Sequence, residues 1–399
     1  MDALMLPLNW QRVRLGDIAE IKRGASPRPI ENPKWFCANS SVGWVRISDI
    51  SKNSRFLYKT AQKLSKKGIE KSRLVKQNSL IMSMCATIGK PIITKIDTCI
   101  HDGFVVFENP KIDLNYLYYF LCYIEKEWLE SGQQGSQVNL NVDLIKNKEV
   151  FYPKDLNEQN AIANILSGLD RYLCALDALI LKKEGVKKAL SFELLSQRKR
   201  LKGFNQAWQK VRLGDICEFG NGGAYETLIV ENGDFKLISL NSIDIDGNLK
   251  NTMKRVNFYD NSLKQDDIVM VLSDVAHGDF LGLCAVIPSN DYVLNQRMGR
   301  LRIRNDCINI LFLRLYINAN QKYFKMQGQG SSQLNLSKKA IEDFEIPLPP
   351  LNEQSAIANI LSTLDNEIAS FKNKKRQFEN IKKALNHDLM SAKIRVLEK

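Results

Sequence analysis

The chain has 399 residues, of which 44% are hydrophobic, enough for two ordinary globular cores. Lysine and arginine exceed aspartate and glutamate by 57 to 44, and the net charge of +13 favours a polyanionic partner such as nucleic acid, although a merely basic soluble surface has the same composition. The apolar runs are far shorter than the roughly 20 residues of a membrane helix, and the N-terminus is unlike a secretory signal, which argues against a membrane or secreted protein. The eight cysteines include no CxxC pair, which argues against a zinc site or a disulfide framework. These features fit a protein of the cytoplasm.

The first half of the chain opens with the segment WQRVRLGDI at residues 10–18 and continues as a mixed domain. Short β-rich stretches such as residues 44–48 alternate between apolar and polar side chains, which predicts strands with one buried face. Stretches rich in glycine, asparagine and serine separate them and predict turns. We therefore expect a domain of mixed α/β structure over residues 1–152.

A long helix follows this domain. Asn157 stands where an N-cap residue is expected, and the glutamate after it suits the positive end of the helix dipole. Apolar residues then recur with alternating steps of four and three, the heptad pattern of a coiled coil. The pattern predicts a helix of about 40 residues, roughly 60 Å long, within residues 153–203.

The second half of the chain repeats the first. Three segments return in the same order: residues 10–18 at 208–216, residues 136–140 at 332–336 and residues 156–170 at 351–365. The first match has eight of nine residues identical and the last has thirteen of fifteen. The shift between the copies falls from 198 positions at the first match to 195 along the helices. The domains have therefore gained and lost residues, whereas the helices have kept their length.

The repeat predicts a second mixed domain over residues 204–347 and a second long helix within residues 348–399, with Asn352 at its N-cap. Each helix has an apolar seam that cannot stay exposed, and the other helix is its natural partner. Because the chain must return after each domain, we expect the two helices to pack antiparallel. The predicted seam, which is also the predicted docking surface for partner subunits, contains Ile162, Leu166, Leu169, Leu173, Leu176, Leu190, Ile357, Leu361, Leu364, Ile368, Phe371 and Leu385.

The sequence lacks the usual motifs of catalysis. Residues 84–91 end like a phosphate-binding loop, but they lack its first glycine and have Pro91 in place of the magnesium-binding hydroxyl. His101 precedes Asp102, and His277 lies near Asp279, but such spacings are common by accident. Three histidines in the whole chain leave little for acid–base chemistry. We therefore expect a non-catalytic protein.

The duplicated motifs resemble the specificity subunit of type I restriction–modification systems. The resemblance lies in the two WxxVxLGDI segments, the two LNEQxAIA segments before the long helices, the stretch GWVRISDI at residues 43–50 and PLPPLNEQ at residues 347–354. It covers essentially the whole chain, and its strength comes from the order and duplication of the motifs. The first copy has YPKD at residues 152–155 where the second has PLPP, a departure expected to alter the entry to the helix and not its role.

The resemblance implies an α+β protein with an internal pseudo-twofold repeat, in which two similar mixed α/β target recognition domains are joined by two long antiparallel coiled-coil helices. Each domain would read one half of an asymmetric bipartite site in double-stranded DNA. The helices would set the spacer and dock two methyltransferase subunits, and restriction subunits would join them. The chain itself would bind no cofactor, because S-adenosylmethionine, ATP and magnesium are expected in the partner subunits.

Candidate DNA contacts are polar or basic side chains on predicted loops. Amides can pair with adenine edges, and guanidinium groups with guanine or phosphate. Any one of these residues is equally compatible with a solvated loop. The candidates are Lys22, Arg23, Ser26, Arg28, Arg46, Gln133, Gln134, Ser136 and Gln137 in the first domain, and Lys236, Gln296, Arg297, Arg300, Gln329, Ser331, Ser332 and Gln333 in the second.

Two other functions are compatible with a basic, helical, duplicated chain. A transcription regulator with two fused halves would carry a small module such as a helix-turn-helix, and the sequence shows none. A helical scaffold for protein partners would carry its basic charge only for solubility. Salt-dependent binding to random DNA would separate this scaffold from the two DNA-binding functions.

Overall fold

The computed structural model describes residues 7–53, 55–131, 140–275 and 278–396. The chain forms two compact units, of which unit 1 comprises Met1–Asp177 with Lys374–Lys399 and unit 2 comprises Ala178–Asn373. Each unit holds one mixed α/β domain and one part of each long helix. Because the division between the units cuts both helices, it does not follow the predicted domain limits, which stay a prediction.

The described residues of the first half of the chain form eleven strands and seven α-helices. The strands are β1 (Trp10–Arg14), β2 (Glu20–Arg23), β3 (Gly43–Val45), β4 (Phe56–Leu57), β5 (Gln62–Lys63), β6 (Arg73–Val75), β7 (Leu80–Ser83), β8 (Pro91–Thr94), β9 (Thr98–Ile100), β10 (Phe104–Glu108) and β11 (Glu149–Pro153). The helices are α1 (Leu15–Ile18), α2 (Ile47–Ser51), α3 (Lys66–Glu70), α4 (Leu114–Tyr123), α5 (Glu125–Ser131), α6 (Val142–Asn147) and the long α7 (Leu156–Leu195).

The second half repeats this order with fewer short helices. Its strands are β12 (Gln209–Arg212), β13 (Cys217–Asn221), β14 (Phe235–Ile238), β15 (Arg255–Val256), β16 (Ile268–Val271), β17 (Ser273–Val275), β18 (Cys284–Val286), β19 (Tyr292–Leu294), β20 (Met298–Ile303), β21 (Gln333–Asn335) and β22 (Glu345–Leu348). Its helices are α8 (Leu213–Ile216), α9 (Ile310–Ala319), α10 (Gln321–Gln327), α11 (Lys338–Glu342) and the long α12 (Leu351–Met390).

The two domains share one sheet arrangement. In the first, β2, β10, β7, β8 and β4 form one sheet and β5, β3, β9 and β6 form another. In the second, β13, β20, β16 and β18 form the first sheet, and β15, β14 and β19 form the second. Strands β3 and β9 run parallel, as do β14 and β19. The central strands β7 and β8 are buried along their whole length, so they are continuous apolar runs and do not alternate.

One predicted strand is shorter than expected. The alternating residues 44–48 were expected to be a single strand, but β3 ends at Val45 and α2 begins at Ile47. The carboxylate of Asp49 accepts a hydrogen bond from the Arg46 N–H at 2.9 Å, which closes the first turn of α2 and ends the strand. The corresponding stretch of the second domain is a strand, β14, as predicted.

Each domain is closed at its base by a two-stranded ribbon that leads into a long helix. Strand β1 pairs antiparallel with β11, and β12 pairs with β22 in the same way. The glutamate that follows each ribbon, Glu158 or Glu353, is almost wholly buried, at 2% and 0% exposure. It accepts a hydrogen bond from the indole of the tryptophan at the ribbon's start, Trp10 at 3.3 Å or Trp208 at 3.0 Å.

The glutamine after each of these glutamates ties the ribbon to the domain's main helix. The Gln159 amide donates to the Pro153 carbonyl, and its side-chain oxygen accepts from the N–H of Asp113, the N-cap of α4, both at 2.8 Å. Gln354 makes the same two bonds in the second copy, to Pro349 and to Asn309, the N-cap of α9. The repeated LNEQ motif is therefore a joint that fixes each long helix to its domain.

Both predicted N-cap positions are wrong by two residues. Helix α7 begins at Leu156, and the carboxylate of Asp155 accepts the N–H of Asn157 at 2.9 Å. Helix α12 begins at Leu351. The Asn352 side chain accepts the N–H of its neighbour Glu353, whereas the Pro350 carbonyl accepts the N–H groups of both Glu353 and Gln354. In each copy the glutamate is thus buried in the joint, and the hydrogen bond from the tryptophan indole fixes its position.

The long helices have 40 residues each and pack antiparallel. In unit 1, the first part of α7 lies against the last part of α12, where the rings of Tyr172 and Phe378 are 4.6 Å apart. In unit 2, the last part of α7 lies against the first part of α12, where Lys183 pairs with Glu367. All twelve predicted seam residues are buried or half-buried. The predicted fold class is confirmed.

The lysines that interrupt the heptad seam are paired with carboxylates of the opposite helix. Lys187 pairs with Asp365 in unit 2, and Lys382 pairs with Asp170 in unit 1. These two ion pairs correspond to each other under the shift of 195 positions. Lys375 likewise lies 2.6 Å from Asp177. The ion pairs towards the two ends of the seam are therefore related by the pseudo-twofold repeat. Within the described residues, no helix has the length and apolarity needed to cross a membrane.

The joints give a stability prediction. Trp10→Phe and Trp208→Phe each leave a buried glutamate with one donor fewer, so each should lower the free energy of unfolding by about 1–3 kcal/mol. Denaturant unfolding measures the change. Trp128→Phe is the matched control, because the indole nitrogen of Trp128 is buried and has no hydrogen-bond partner among the described residues. Equal losses in the control and in the joint variants would contradict a specific role for the indole–carboxylate bond.

Candidate nucleic-acid interface

In the first domain, the basic turn that follows β2 is organised by one carboxylate. The Ser26 hydroxyl donates to Asp102 at 2.6 Å, and the Arg28 guanidinium donates to its other oxygen at 2.9 Å. Arg23 donates to the Asp102 carbonyl at 2.7 Å. The Ser26 hydroxyl, together with Arg28 and other groups, holds the pKa of Asp102 below its ordinary value. The turn is thus fixed before any ligand binds, and Arg28 stays 71% exposed with donors to spare.

Lys22 lies beside this turn, but its ammonium group is paired with two carboxylates of the same sheet. Its ammonium group is 2.6 Å from Glu108 and 2.9 Å from Glu20. Hydrogen bonds to Glu108 and then Glu20 raise the pKa of Lys22. The four predicted residues of this segment therefore lie together, but Arg23 and Arg28 are the exposed cations.

The pair His101–Asp102 serves this structure. Burial is the main cause that lowers the pKa of His101 to about 4, so the imidazole is neutral near pH 7. Its Nδ1 accepts the Gly103 N–H at 3.0 Å. Arg46 is half-buried and adds to the electrostatic lowering of the His101 pKa. The adjacent histidine and aspartate suggested acid–base chemistry, but in the structure they hold a loop in position.

The second domain has a corresponding turn at the equivalent edge of its sheet. The Gly24 N–H bonds to the Phe104 carbonyl, and the Gly222 N–H bonds to the Met298 carbonyl, so the two turns match. In both, a Cβ atom would collide with backbone, at 2.1 Å from the His101 carbonyl oxygen for Gly24 and 2.0 Å from the Asn295 one for Gly222. Only glycine allows this close approach of the two loops.

The correspondence assigns Gln296 and Arg297 to the place of Asp102 and Gly103. Gln296 is half-buried and Arg297 is exposed, with a positive φ of 68°. The buried Asn295 accepts the Tyr225 N–H at 3.2 Å and orders the opposite turn, as Asp102 does in the first domain. The two candidate sites therefore have one backbone and different side chains.

The pairing of strands β17 and β21 brings further predicted residues to this edge of the second domain. Leu272 donates its N–H to the Arg297 carbonyl, and its own carbonyl accepts from Leu336. Strand β17 starts directly after Leu272 and pairs with β21, which begins at Gln333. Gln329, Ser331 and Ser332 lie just before β21 and are exposed, whereas Gln333, the first residue of β21, is half-buried.

Other predicted basic residues are neutralised inside the fold. Arg300 pairs with Glu218, and Arg302 holds both oxygens of the buried Asp267 at 2.8 and 2.7 Å. Lys236 lies 2.9 Å from Asp291 and over the ring of Tyr292. These ion pairs join residues that are distant in sequence. Because they neutralise Arg300 and Arg302, Arg297 is the exposed cation among residues 296–302.

Four predicted contacts, Gln133, Gln134, Ser136 and Gln137, lie outside the described residues, as does His277. Sequence reasoning missed Asp102 and Asn295 as the residues that order the two turns. Their only signal was the position of Asp102 beside a histidine, which suggested catalysis. Within the described part of the chain, no group of three or more histidine, cysteine, aspartate or glutamate side chains is placed to hold a metal ion.

Comparison with known proteins agrees with this duplicated arrangement. The family described as "Type I restriction modification DNA specificity domain" matches residues 7–183 and again residues 205–380. The MjaVIII specificity subunit of Methanocaldococcus jannaschii is 26% identical over 99% of this chain and 95% of its own length. The EcoprrI specificity subunit of Escherichia coli is 25% identical over 45% of each chain.

Solved structures show the same fold. The S subunit of a type I restriction–modification system from M. genitalium superposes with a TM-score of 0.64 at 17% identity, covering 96% of this chain and 98% of its own. A chain from a structure of type I R-M complex assembly and conformational transition gives a TM-score of 0.61 at 16% identity, with the same coverage. Since the family matches both halves and most of the residues, the chain belongs to the type I restriction–modification DNA specificity domain family and contains that domain twice.

Proposed function

We propose that the chain is the DNA specificity subunit of a type I restriction–modification complex, in which each domain reads a different half of one bipartite site. The observation that carries the proposal is the pair of corresponding loop edges, built on one backbone but lined by different side chains. Arg28 and Asp102 occupy the edge of the first domain, and Gln296 and Arg297 that of the second. The resemblance of the chain to specificity subunits over nearly its whole length supports this function and not a regulator or scaffold.

The need for two domains follows from the energetics of base reading. One well-placed contact discriminates between bases by about 1–3 kcal/mol, so a half-site of a few base pairs recurs many times in a genome. Coupling two half-sites at one spacing multiplies their specificities. Two domains with different loop side chains would make the combined site asymmetric.

The catalytic steps are assigned to other chains. We infer that two methyltransferase subunits bind along the long helices and that restriction subunits join them, in the cytoplasm. S-adenosylmethionine, ATP and magnesium would be bound by those partners. The neutral, structurally engaged His101 supports a non-catalytic role for the first domain.

The purified chain alone should neither methylate nor cut DNA, because the described residues of its candidate edges supply arginine, amide and hydroxyl groups, and the Asp102 carboxylate there is bonded to Ser26 and Arg28. Incubation with S-adenosylmethionine, magnesium and DNA tests this expectation. Methyl transfer above that of a no-protein control would contradict it.

Substitutions at the two edges should act on different half-sites. Arg28→Ala should weaken discrimination within one half-site and Gln333→Ala within the other, each by about 1–3 kcal/mol if the side chain hydrogen-bonds a base. The target is first found by mapping methylated adenines in cells with and without the gene. Competition binding to duplexes with single-base changes then measures discrimination. An equal loss on specific and random DNA would indicate a phosphate contact or a structural role instead.

Lengthening both helices should change the spacer and leave the half-site bases unchanged. Lys183 and Phe378 occupy equivalent positions in the two long helices, so insertions after them would correspond in sequence. Lys183, however, pairs with Glu367, and Phe378 contacts Tyr172, so the two positions lie at different levels along the helix pair. The better points are the bonds after Asp177 and after Asn373, where both helices pass from one unit to the other.

Four residues inserted at each point add roughly 6 Å and turn the helix by about 40° beyond a full turn. In DNA this length is close to two base pairs, or about 60–70° of rotation. We expect the complex to methylate sites with a spacer about two base pairs longer. Insertion into one helix alone is the control and should impair assembly, because it shifts one seam against the other. Undiminished methylation of only the original spacing by the double insertion would refute the proposed ruler.

A further inference from the structure

In unit 1, a buried arginine connects the first domain to both long helices. Arg55 is 7% exposed, and its guanidinium donates to the Tyr119 hydroxyl at 2.9 Å and to the Asn115 side chain at 2.6 Å. The Tyr119 hydroxyl donates in turn to Asp170 of α7 at 2.6 Å. The other oxygen of Asp170 pairs with Lys382 of α12. The first domain thus presents a cation and a hydroxyl donor to a carboxylate on the helices.

Aromatic rings make this buried charge tolerable. The guanidinium carbon of Arg55 lies 4.7, 4.9 and 5.5 Å from the ring centroids of Phe56, Tyr119 and Tyr118. A desolvated cation over such rings gains electrostatic attraction, which partly replaces its lost hydration. Removal of Arg55 would therefore leave these rings without their cation and the Tyr119 hydroxyl, which donates to Asp170, without its own donor.

In unit 2, the second domain uses the opposite charge. Residues 244–248 form a turn between β14 and β15, and the Asp246 carboxylate lies 3.6 Å from the ammonium group of Lys372 on α12. Lys372 also lies 2.8 Å from Glu184 of α7. Arg314 of α9 donates to the Asp246 carbonyl at 3.3 Å and steadies the turn. The second domain thus presents an anion to a lysine on the helices.

The helical residues at these two attachments do not match under the repeat. Asp170 and Lys382 correspond to Asp365 and Lys187, which form the same ion pair. Lys372, however, corresponds to Asp177, and Glu184 corresponds to Glu379, so unit 1 has two acids where unit 2 has an acid and a lysine.

The domain helices differ as well. The N-caps of α4 and α9 are Asp113 and Asn309, a register in which Tyr119 corresponds to Leu315. The residue that corresponds to Tyr119 is therefore a leucine, which has no hydroxyl to donate to Asp365. The Oδ2 atom of Asp365 is buried and has no hydrogen-bond partner among the described residues.

We propose that charge determines which domain fits which helical segment: the second domain fits only a segment with lysine at the position of Lys372, whereas the first domain fits either segment. A second domain on the helices of unit 1 would bring Asp246 towards Asp177 and Glu379, of which Lys375 can offset only part. A first domain on the helices of unit 2 would bring the Tyr119 hydroxyl towards the unpartnered oxygen of Asp365. The inference concerns assembly of the chain and does not depend on which DNA is read.

Point variants of the full chain test the attachment of the second domain. Lys372→Asp copies the helical charge of unit 1 into unit 2 and should lower the melting temperature by roughly 2–4 °C, as should Asp246→Lys alone. The double variant should recover part of the loss, because the ion pair between positions 246 and 372 is re-formed with its charges exchanged, whereas the pair with Glu184 is not. Lys182→Asp is the control: this exposed lysine of α7 has no ion pair among the described residues, and Asp246→Lys should not rescue its variant. Additive losses in the double variant would overturn the proposal.

Two full-length chimeras test the asymmetry. Replacing residues 15–148 by 213–344 gives two copies of the second domain, and the converse exchange gives two copies of the first. The chain with two first domains should melt close to the parent, and the chain with two second domains clearly lower. Asp177→Lys should raise the melting temperature of the latter, yet lower that of the parent, where it breaks the pair with Lys375.

A chimera with two second domains that is no less stable than the one with two first domains would overturn the proposal. So would an Asp177→Lys change of the same sign in that chimera and in the parent. If neither chimera folds, the double variant of Asp246 and Lys372 decides alone, because it needs no exchange of domains.

Discussion

The structure depends on the burial of two apolar seams, which pack against each other and, at Ile162, Leu166, Ile357 and Leu361, against the domain cores. Each long helix has apolar side chains along one side, and 40 residues of such a surface cannot remain in water. The lysines that interrupt the seam would prevent burial if they met apolar residues. They meet carboxylates of the opposite helix instead, and the Lys187–Asp365 and Lys382–Asp170 pairs fix the register at both ends. Antiparallel packing is the only direction in which all these pairs form.

The regions in which the two copies agree are those that carry this helix pair. The repeated tryptophan, glutamate and glutamine form the joint at which a ribbon, a domain helix and a long helix meet, with Glu353 wholly buried and bonded to Arg200 as well as Trp208. Removing one partner of a buried carboxylate is costly, so the motif tolerates little change. The loop edges bear no such constraint and differ between the domains.

The duplication, the antiparallel helices and the seam could be predicted because they rest on local identity and periodicity. The helix starts were misplaced because Asn157 and Asn352 look like caps, while the tertiary demand of a buried tryptophan places the glutamate. Candidate contacts were harder to judge. Whether Arg302 is free depends on Asp267, and whether Lys22 is free depends on Glu108, pairings across strands that no local pattern reveals. Asp102 and Asn295 order the turns from distant strands for the same reason.

The ribbons at the base of the domains have an entropic consequence. Pairing of β1 with β11, and of β12 with β22, makes each domain a closed loop whose two ends are held side by side. The entropy lost on closing a loop grows only with the logarithm of its length, so doubling the enclosed chain costs only about 0.6 kcal/mol more. A domain can therefore gain or lose whole turns without displacing the strands that enter the helices. The differing shifts between the two copies, 198 positions before the domains and 195 after them, record such changes in length.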